Sequence, residues 1–145
     1  MRSIHANLVT TLPLPVILDT NFLTIPAQFG VDVFSEAERL LERSVEFILL
    51  ESVLDEIKSN LERAGRTEER FFKVALDLTE RCKIVGIDHY TRGSSVDDQL
   101  LEYASSVRGV LATNDRELRD RASKLGIPVL MLRGKNHLEL EGAIF

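Results

Sequence analysis

The sequence is poor in the residues that build several common kinds of functional site. Cys82 is its single cysteine, which excludes an internal disulfide and any zinc site made of several cysteines. Tryptophan is absent and aromatic residues make up 6% of the chain, so no platform for stacking nucleic-acid bases is evident. The histidines His5, His89 and His137 are scattered along the chain, and we interpret them as surface residues.

Long apolar runs and nucleotide-binding signatures are missing as well. No run approaches the roughly 20 apolar residues that cross a membrane, so we expect no membrane partner. The apolar stretch from Leu8 to Leu18 contains two prolines and lacks a cationic leader with a small-residue cleavage site, so we do not interpret it as a signal peptide. We therefore expect a cytoplasmic protein. Neither a Walker motif nor a G-x-G-x-x-G loop occurs, which argues against a nucleotide-binding α/β protein.

An excess of positive charge is also lacking, because 18 lysines and arginines stand against 23 aspartates and glutamates, for a net charge of −5. This balance argues against a protein that coats nucleic acid through salt-dependent contacts. It is compatible with an enzyme that cuts nucleic acid, since such an enzyme uses carboxylates to hold metal cations, which reverse the local charge. The apolar content of 44% is enough for one core, and the length is typical of a single domain.

Short apolar runs alternate with helical patterns from Leu14 onward. The patterns predict strands at residues 14–19, 45–50, 83–87, 110–113 and 129–132, and helices beginning at Ser35, Ser52, Thr67, Ser95 and Asp115. Strands separated by helices form parallel βαβ units. The sequence thus predicts a three-layer α/β/α sandwich with a central, mainly parallel five-stranded sheet. We expect this domain to span residues 14–135, between a flexible arm (residues 1–13) and a tail (residues 136–145).

Two aspartates stand where sheets of this kind bind their ligands. Asp19 closes the first predicted strand and Asp115 follows the fourth, so both fall at the carboxyl edge of the sheet. Burial explains the apolar residues of a strand, but it does not explain a carboxylate at the end of the strand. As a single residue, however, each aspartate also fits the role of an N-cap for the next helix.

Two predicted helices contribute further acids. Asp97 heads the apolar stripe of the helix after Ser95, and a carboxylate on a buried face is costly unless a group such as a metal ion compensates it. Asp98 points away from that stripe and suits the capping box that begins at Ser95. Glu56 lies on the flank of the helix after Ser52, where a lone glutamate is usually just solvated. Glu56 becomes a candidate site residue because the other three acids are expected at the same edge of the sheet.

Converging carboxylates repel one another strongly unless cations are present. Hard divalent ions such as Mg²⁺ or Mn²⁺ prefer oxygen ligands of this type. No Ser/His/Asp or Cys/His arrangement competes as a catalytic site in the sequence. The candidate acidic set consists of Asp19, Glu56, Asp97 and Asp115.

The same segments resemble those of the PIN domains, the fold of a family of metal-dependent ribonucleases. The resemblance spans residues 14–133 and rests on four segments in the expected order, at residues 17–21, 53–57, 97–104 and 112–118. It implies that Asp19, Glu56, Asp97 and Asp115 are the catalytic residues and the ligands of Mg²⁺ or Mn²⁺. It further implies that Asn21 and Thr113 support these acids through hydrogen bonds and that Asp98 is an outer ligand.

The resemblance also carries expectations about activity and partners. It implies an endoribonuclease that hydrolyses RNA phosphodiester bonds, with a homodimer as the oligomeric state. The segment at residues 128–133 looks most like the archaeal branch, which is similar to both toxin-type and ribosomal-RNA-processing-type PIN proteins. The corresponding partner is an antitoxin in the first case and a ribosome-assembly factor in the second.

Residues 116–135 form the most basic part of this acidic chain and begin just beyond Asp115. They could position RNA phosphates next to the metal ions, although an ordinary solvated helix face explains them equally well. The candidate RNA-binding residues are Arg116, Arg119, Arg133 and Lys135.

Two alternatives stay open beside the ribonuclease. One is a slow or inactive PIN scaffold that binds RNA in ribosome assembly, against which the presence of the four acids argues. The other is a metal-dependent phosphatase of another α/β family. A haloacid-dehalogenase phosphatase needs a second aspartate two residues after the first, where Asn21 stands. A response-regulator receiver needs paired acids before its phosphorylated aspartate and a late lysine, and neither is found.

Overall fold

The computed structural model describes residues 12–86 and 94–144. Six strands lie in these ranges: β1 (Leu14–Leu18), β2 (Val45–Leu50), β3 (Lys83–Val85), β4 (Val110–Ala112), β5 (Val129–Arg133) and β6 (His137–Glu141). The same ranges contain six α-helices: α1 (Ile25–Phe29), α2 (Val33–Leu41), α3 (Glu51–Arg63), α4 (Arg66–Leu78), α5 (Val96–Ser106) and α6 (Arg116–Lys124). Two 3₁₀ turns lie at Thr20–Thr24 and Thr79–Arg81.

All described strands form one sheet, in the order β3-β2-β1-β4-β5-β6. Strands β1 to β5 pair in parallel, whereas β6 runs antiparallel to β5. The expected α/β fold is thereby confirmed, but the described sheet has six strands instead of the five predicted. Because β1 to β5 are parallel, their carboxyl ends share one edge, with β1 near the middle of the sheet.

The core lies on both faces of the central strands. Val16, Ile17 and Leu18 of β1 are each 0% exposed. Since successive residues of a strand point to opposite faces, helices must cover both sides of the sheet. Helix α5 packs against β1 and β4, α3 packs against β2, and α6 packs against β5. This arrangement is the expected three-layer sandwich.

The predicted tail at residues 136–145 is the clearest correction, because it contains β6. Leu138 is buried and pairs with Leu132 of β5. Helix α2 packs against β6, so this helix lies against the outer edge of the sheet. Of the arm predicted over residues 1–13, residues 1–11 lie outside the described part, as does Ile87 at the end of the third predicted strand.

Two predicted helix starts were wrong. Helix α2 begins at Val33 because Asp32 caps it, accepting from the backbone N–H groups of Phe34 and Ser35 at 3.2 Å each. Helix α3 follows β2 directly at Glu51 and has no side-chain cap, so Ser52 lies inside its first turn. In contrast, the predicted cap of α5 is confirmed, since the Ser95 hydroxyl accepts from the Asp98 backbone N–H at 3.1 Å.

The remaining sequence expectations concern the surface. None of the helices within residues 12–86 and 94–144 is both long enough and apolar enough to cross a membrane. His137 is exposed, while His5 and His89 lie outside the described residues. On α4, Ala75 is buried and the neighbouring apolar side chains Phe71 and Phe72 are half-buried, so this helix retains some exposed apolar area.

Candidate active site

Asp19 occupies the carboxyl end of β1 and is 7% exposed. Its backbone N–H donates to the Ala112 carbonyl at 3.0 Å, which continues the β1–β4 pairing by one residue. The side chain accepts two hydrogen bonds, one on each oxygen. The Thr113 hydroxyl donates to Oδ2 at 2.8 Å, and the Thr20 backbone N–H donates to Oδ1 at 2.7 Å. Asp19 is therefore held in one orientation by neutral partners.

The pKa of Asp19 is raised from 3.8 to about 6, and burial of the carboxylate is the largest cause. The hydrogen bonds from Thr113 and Thr20 lower this pKa, but they only partly offset the desolvation. The charges of Asp97 and Glu56 raise the pKa further, which places these carboxylates within electrostatic reach of Asp19. The buried carboxylate thus has other acids as its charged neighbours, and a cation at this edge would relieve their repulsion.

Thr113 links Asp19 to Asp115. It is 0% exposed at the end of β4. While its hydroxyl donates to Asp19, it accepts from the Asp115 backbone N–H at 3.0 Å. The Asp115 carboxylate caps α6 by accepting from the Leu118 backbone N–H at 3.0 Å. The N-cap interpretation of Asp115 is therefore correct, and the cap also positions its carboxylate at the sheet edge.

Glu56 joins the same network through a residue that the sequence reasoning missed. Thr20, which is 2% exposed, follows Asp19 in the 3₁₀ turn, and its hydroxyl donates to Oε1 of Glu56. Glu56 is half-buried in the second turn of α3, the helix that directly follows β2. The signal that could have indicated Thr20 was its position next to Asp19, where a hydroxyl can reach an adjacent element.

The neighbouring aspartates of α5 take different directions, as the helical pattern predicted. Asp97 is half-buried, and desolvation raises its pKa, with the charges of Asp115 and Glu56 adding to the effect and Arg121 opposing it. Asp98 accepts from the Arg121 guanidinium at 2.6 Å, and this ion pair lowers the pKa of Asp98. The structure thus gives Asp98, the predicted outer ligand, a cationic partner outside the acidic set.

The two asparagines near the acids make different contacts, and only one of them was predicted to support the acids. Asn21, predicted to support the acids, is exposed, and its backbone carbonyl accepts from the Thr24 hydroxyl at 2.7 Å. Asn114 was not predicted. Its side-chain oxygen accepts from the Leu132 backbone N–H at 2.7 Å, which ties the end of β4 to β5.

The predicted RNA-binding residues do not form a uniform basic patch. Arg119 is half-buried and directs its guanidinium to the Met131 sulfur at 2.8 Å, while Arg133 pairs with Glu139 at 2.7 Å. Arg116 and Lys135 are exposed. Arg116 begins α6 next to Asp115, and Lys135 lies in the turn after β5, so both are near the carboxyl edge of the sheet.

The donor set of this edge is all oxygen, which fits Mg²⁺ or Mn²⁺. The charges of Asp97 and Glu56 act on Asp19, and those of Asp115 and Glu56 act on Asp97, so the four acids share one region. Within residues 12–86 and 94–144, however, no three acidic, histidine or cysteine side chains converge closely enough to form a ready-made metal site. The carboxylates fit the chemistry of a divalent cation, although their side chains do not close on a common point.

Comparison with known proteins identifies the family. The sequence model of the PIN like domain matches residues 16–135, which is most of the chain. The chain belongs to the PIN-like domain family. Within the described residues, that match spans the four strand-end and helix acids, from Asp19 to Asp115.

Relatives of known name agree with this PIN-like assignment. The chain is similar to the ribonuclease VapC4 of Methanocaldococcus jannaschii, at 28% identity over 130 residues, which cover 89% of this chain and 98% of the relative. Among solved structures, it resembles that of the PIN domain endonuclease Utp24, with a TM-score of 0.74, 24% identity, and coverage of 91% and 94% of the two chains.

A second solved structure is more distant in sequence. It contains VapBC2 from Rickettsia felis bound to a DNA fragment from their promoter, and the matching chain has a TM-score of 0.59 and 15% identity. The match covers 83% of this chain and 100% of that chain. At such identities the solved structures show the shared PIN fold.

Proposed function

We propose that the protein is a divalent-metal-dependent endoribonuclease that hydrolyses RNA phosphodiester bonds. The observation that carries this proposal is the network at the carboxyl edge of the sheet, in which Thr113 joins Asp19 to Asp115 and Thr20 joins Asp19 to Glu56. Asp97 completes the set from α5 through its electrostatic interaction with Asp115. Such a concentration of carboxylates around a buried aspartate suits a cation-dependent hydrolase.

Asp19, Asp97 and Asp115 are the proposed ligands of Mg²⁺ or Mn²⁺, and Glu56 either completes the ligand set or orients the attacking water. When bound, the metal supplies the Lewis acidity that activates water and offsets charge on the phosphodiester. Asp98 is left out of this set because its carboxylate is paired with Arg121. Thr113 keeps Asp19 oriented, and the α6 N-terminus keeps Asp115 in place.

RNA as the substrate is supported by the name of the Methanocaldococcus jannaschii relative, a ribonuclease. The exposed cations Arg116 and Lys135 stand at the same edge as the acids and are suited to contact phosphates on either side of the cut. Arg119 and Arg133 already have partners within the protein, so we assign them no direct contact with RNA.

The cellular role is proposed to be that of a toxin with a cognate antitoxin or that of a ribosomal-RNA-processing nuclease. Expression in a bacterial host separates these roles. Growth arrest that Asp19→Asn abolishes, and that a small protein encoded next to this one reverses, assigns the toxin role. Undisturbed growth together with cleavage of a ribosomal-RNA precursor assigns the processing role.

Cleavage of a labelled, structured RNA in Mn²⁺, Mg²⁺ or EDTA tests the proposed activity. We expect the folded protein to cut RNA internally with either metal and to stop in EDTA. Asp19→Asn and Asp115→Asn are expected to be inactive while their circular dichroism spectra match that of the wild type. Full activity of either folded variant would contradict the proposed site.

A chromogenic phosphomonoester separates this proposal from the phosphatase alternative. We expect no turnover of the phosphomonoester under conditions in which RNA is cut. Turnover of the phosphomonoester without RNA cleavage would overturn the ribonuclease assignment. Metal-independent RNA binding without any cleavage would instead support an RNA-binding scaffold.

A further inference from the structure

Thr20 donates hydrogen bonds to two different acids. Its backbone N–H donates to Oδ1 of Asp19 at 2.7 Å, and its hydroxyl donates to Oε1 of Glu56 on α3. The residue is 2% exposed, so water does not compete strongly for its hydroxyl. Thr20 therefore connects the end of β1 to a helical residue that lies 36 residues further along the chain.

A second buried threonine in the same 3₁₀ turn makes a local hydrogen bond instead. Thr24 is 3% exposed, and its hydroxyl donates to the Asn21 carbonyl, three residues earlier, at 2.7 Å. Threonine hydroxyls in turns and helices commonly form local hydrogen bonds of this kind. Thr20 departs from that pattern because its hydroxyl reaches a carboxylate on another element.

Without a hydrogen-bond partner, the Glu56 side chain would not be held in one conformation. A glutamate side chain has several rotatable bonds, and a half-buried one on a helix flank can turn toward solvent. A hydroxyl that donates to Oε1 selects the conformation in which the carboxylate stays beside Asp19, leaving Oε2 for another ligand.

We infer that Thr20 is a positioning residue that holds Glu56 at the acidic edge, so that the divalent cation meets a preformed ligand or water-orienting group. This inference rests on the proposed function. Thr20 and Thr113 then act as a pair, since Thr113 joins Asp19 to Asp115 on one side and Thr20 joins Asp19 to Glu56 on the other. Partners that orient ligand side chains commonly contribute about 10- to 100-fold to metal affinity or activity.

The test compares Thr20→Val, which removes the hydroxyl at nearly constant shape, with Thr20→Ser, which keeps it. Thr24→Val is the matched control, because it removes a buried hydroxyl from the same turn without touching an acid. Mn²⁺ affinity is measured by calorimetry without RNA, and kcat and KM are measured for RNA cleavage. Thermal unfolding in EDTA shows that each variant is folded.

We expect Thr20→Val to weaken Mn²⁺ binding and to lower kcat by about 10-fold or more, with KM for RNA unchanged. Thr20→Ser should stay close to the wild type, and Thr24→Val should change thermal stability alone. In a Glu56→Ala background, Thr20→Val should have no additional effect, because its hydroxyl would have no carboxylate to hold.

Two results would overturn the inference while leaving the proposed function intact. The first is an active Thr20→Val protein whose Mn²⁺ affinity and kcat match those of Thr24→Val. The second is a loss of Mn²⁺ affinity on Thr20→Val that is equally large in the Glu56→Ala background. A wild-type protein that neither binds Mn²⁺ nor cuts RNA would refute the proposed function, and the inference with it.

Discussion

Asp19 is a carboxylate whose burial penalises its ionised form. Its pKa of about 6 in the folded protein exceeds the ordinary value of 3.8, so between these pH values the folded state keeps a proton that the unfolded state has released. The free energy of unfolding must then fall as the pH rises through this window. Above pH 6 the full penalty is present, whereas below pH 4 it has disappeared.

Asp19→Asn should remove this penalty. In EDTA at pH 7, we expect the variant to be more stable than the wild type by up to about 3 kcal/mol, the free energy that corresponds to the shift in pKa. The difference should vanish near pH 4. Urea unfolding at several pH values measures it, and parallel pH dependences of the two proteins would contradict the buried state of Asp19. Added Mn²⁺ should stabilise the wild type more than the variant, because only the wild type offers the full ligand set.

The placement of several candidate residues at the carboxyl edge could be predicted because it follows from simple geometry. The ends of buried parallel strands located Asp19 and Asp115, and the helical phase separated Asp97 from Asp98. Hydrogen bonds between distant elements could not be predicted. Nothing in the pattern says that Thr20 turns its hydroxyl toward Glu56, since this depends on how α3 packs beside the 3₁₀ turn.

At the scale of the element, Asp115 has two separable roles. Its carboxylate caps α6, and it belongs to the proposed ligand set. Asp115→Asn keeps a capping oxygen, whereas Asp115→Ala removes it. We expect both variants to lose cleavage but only the alanine variant to lose about 1 kcal/mol of stability. Urea unfolding in EDTA distinguishes them, and equal stabilities would show that the cap is unimportant.

The start of β4 depends on a close approach to β1. A Cβ atom on Gly109 would lie 2.7 Å from Cδ1 of Ile17 and 2.8 Å from the carbonyl oxygen of Pro15. Because the second contact is to backbone, Gly109→Ala should destabilise the protein by about 1–3 kcal/mol. Gly65→Ala is the control, since nothing lies within 4 Å of its added Cβ. A wild-type unfolding temperature for Gly109→Ala would contradict this packing of the sheet.

Elements with strong periodicity were predicted well, and those with weak signals were missed. Strand β2 has the predicted bounds, and α5 has the predicted cap. Strand β6 was missed although Leu138 and Leu140 alternate with polar residues, which is the pattern of an edge strand. Helix α1 was not predicted because it has only five residues. Its sequence nevertheless carries two helix signals, a proline in the first turn and Gly30 at the end.

At the scale of the whole molecule, an acidic protein must still bind a polyanion. The salt dependence of RNA binding, measured in the Asp19→Asn background, reports the number of phosphate contacts. We expect Arg116→Ala and Lys135→Ala each to reduce the slope of log K against log salt by about 0.7, the value per contact on single strands. Lys124→Ala, at the far end of α6, should leave the slope unchanged. An unaltered slope in all three variants would place the RNA elsewhere.

The proposed activity requires that the acids at the carboxyl edge hold the metal that cuts RNA. The neighbouring aspartates of α5 offer the most direct measurement, because Asp97 interacts with Asp115 and Glu56 while Asp98 is paired with Arg121. We expect Asp97→Asn to lose Mn²⁺-dependent cleavage and to bind Mn²⁺ more weakly, and Asp98→Asn to keep both properties. Equal activities of the two folded variants, or a selective loss in Asp98→Asn, would contradict the proposed site.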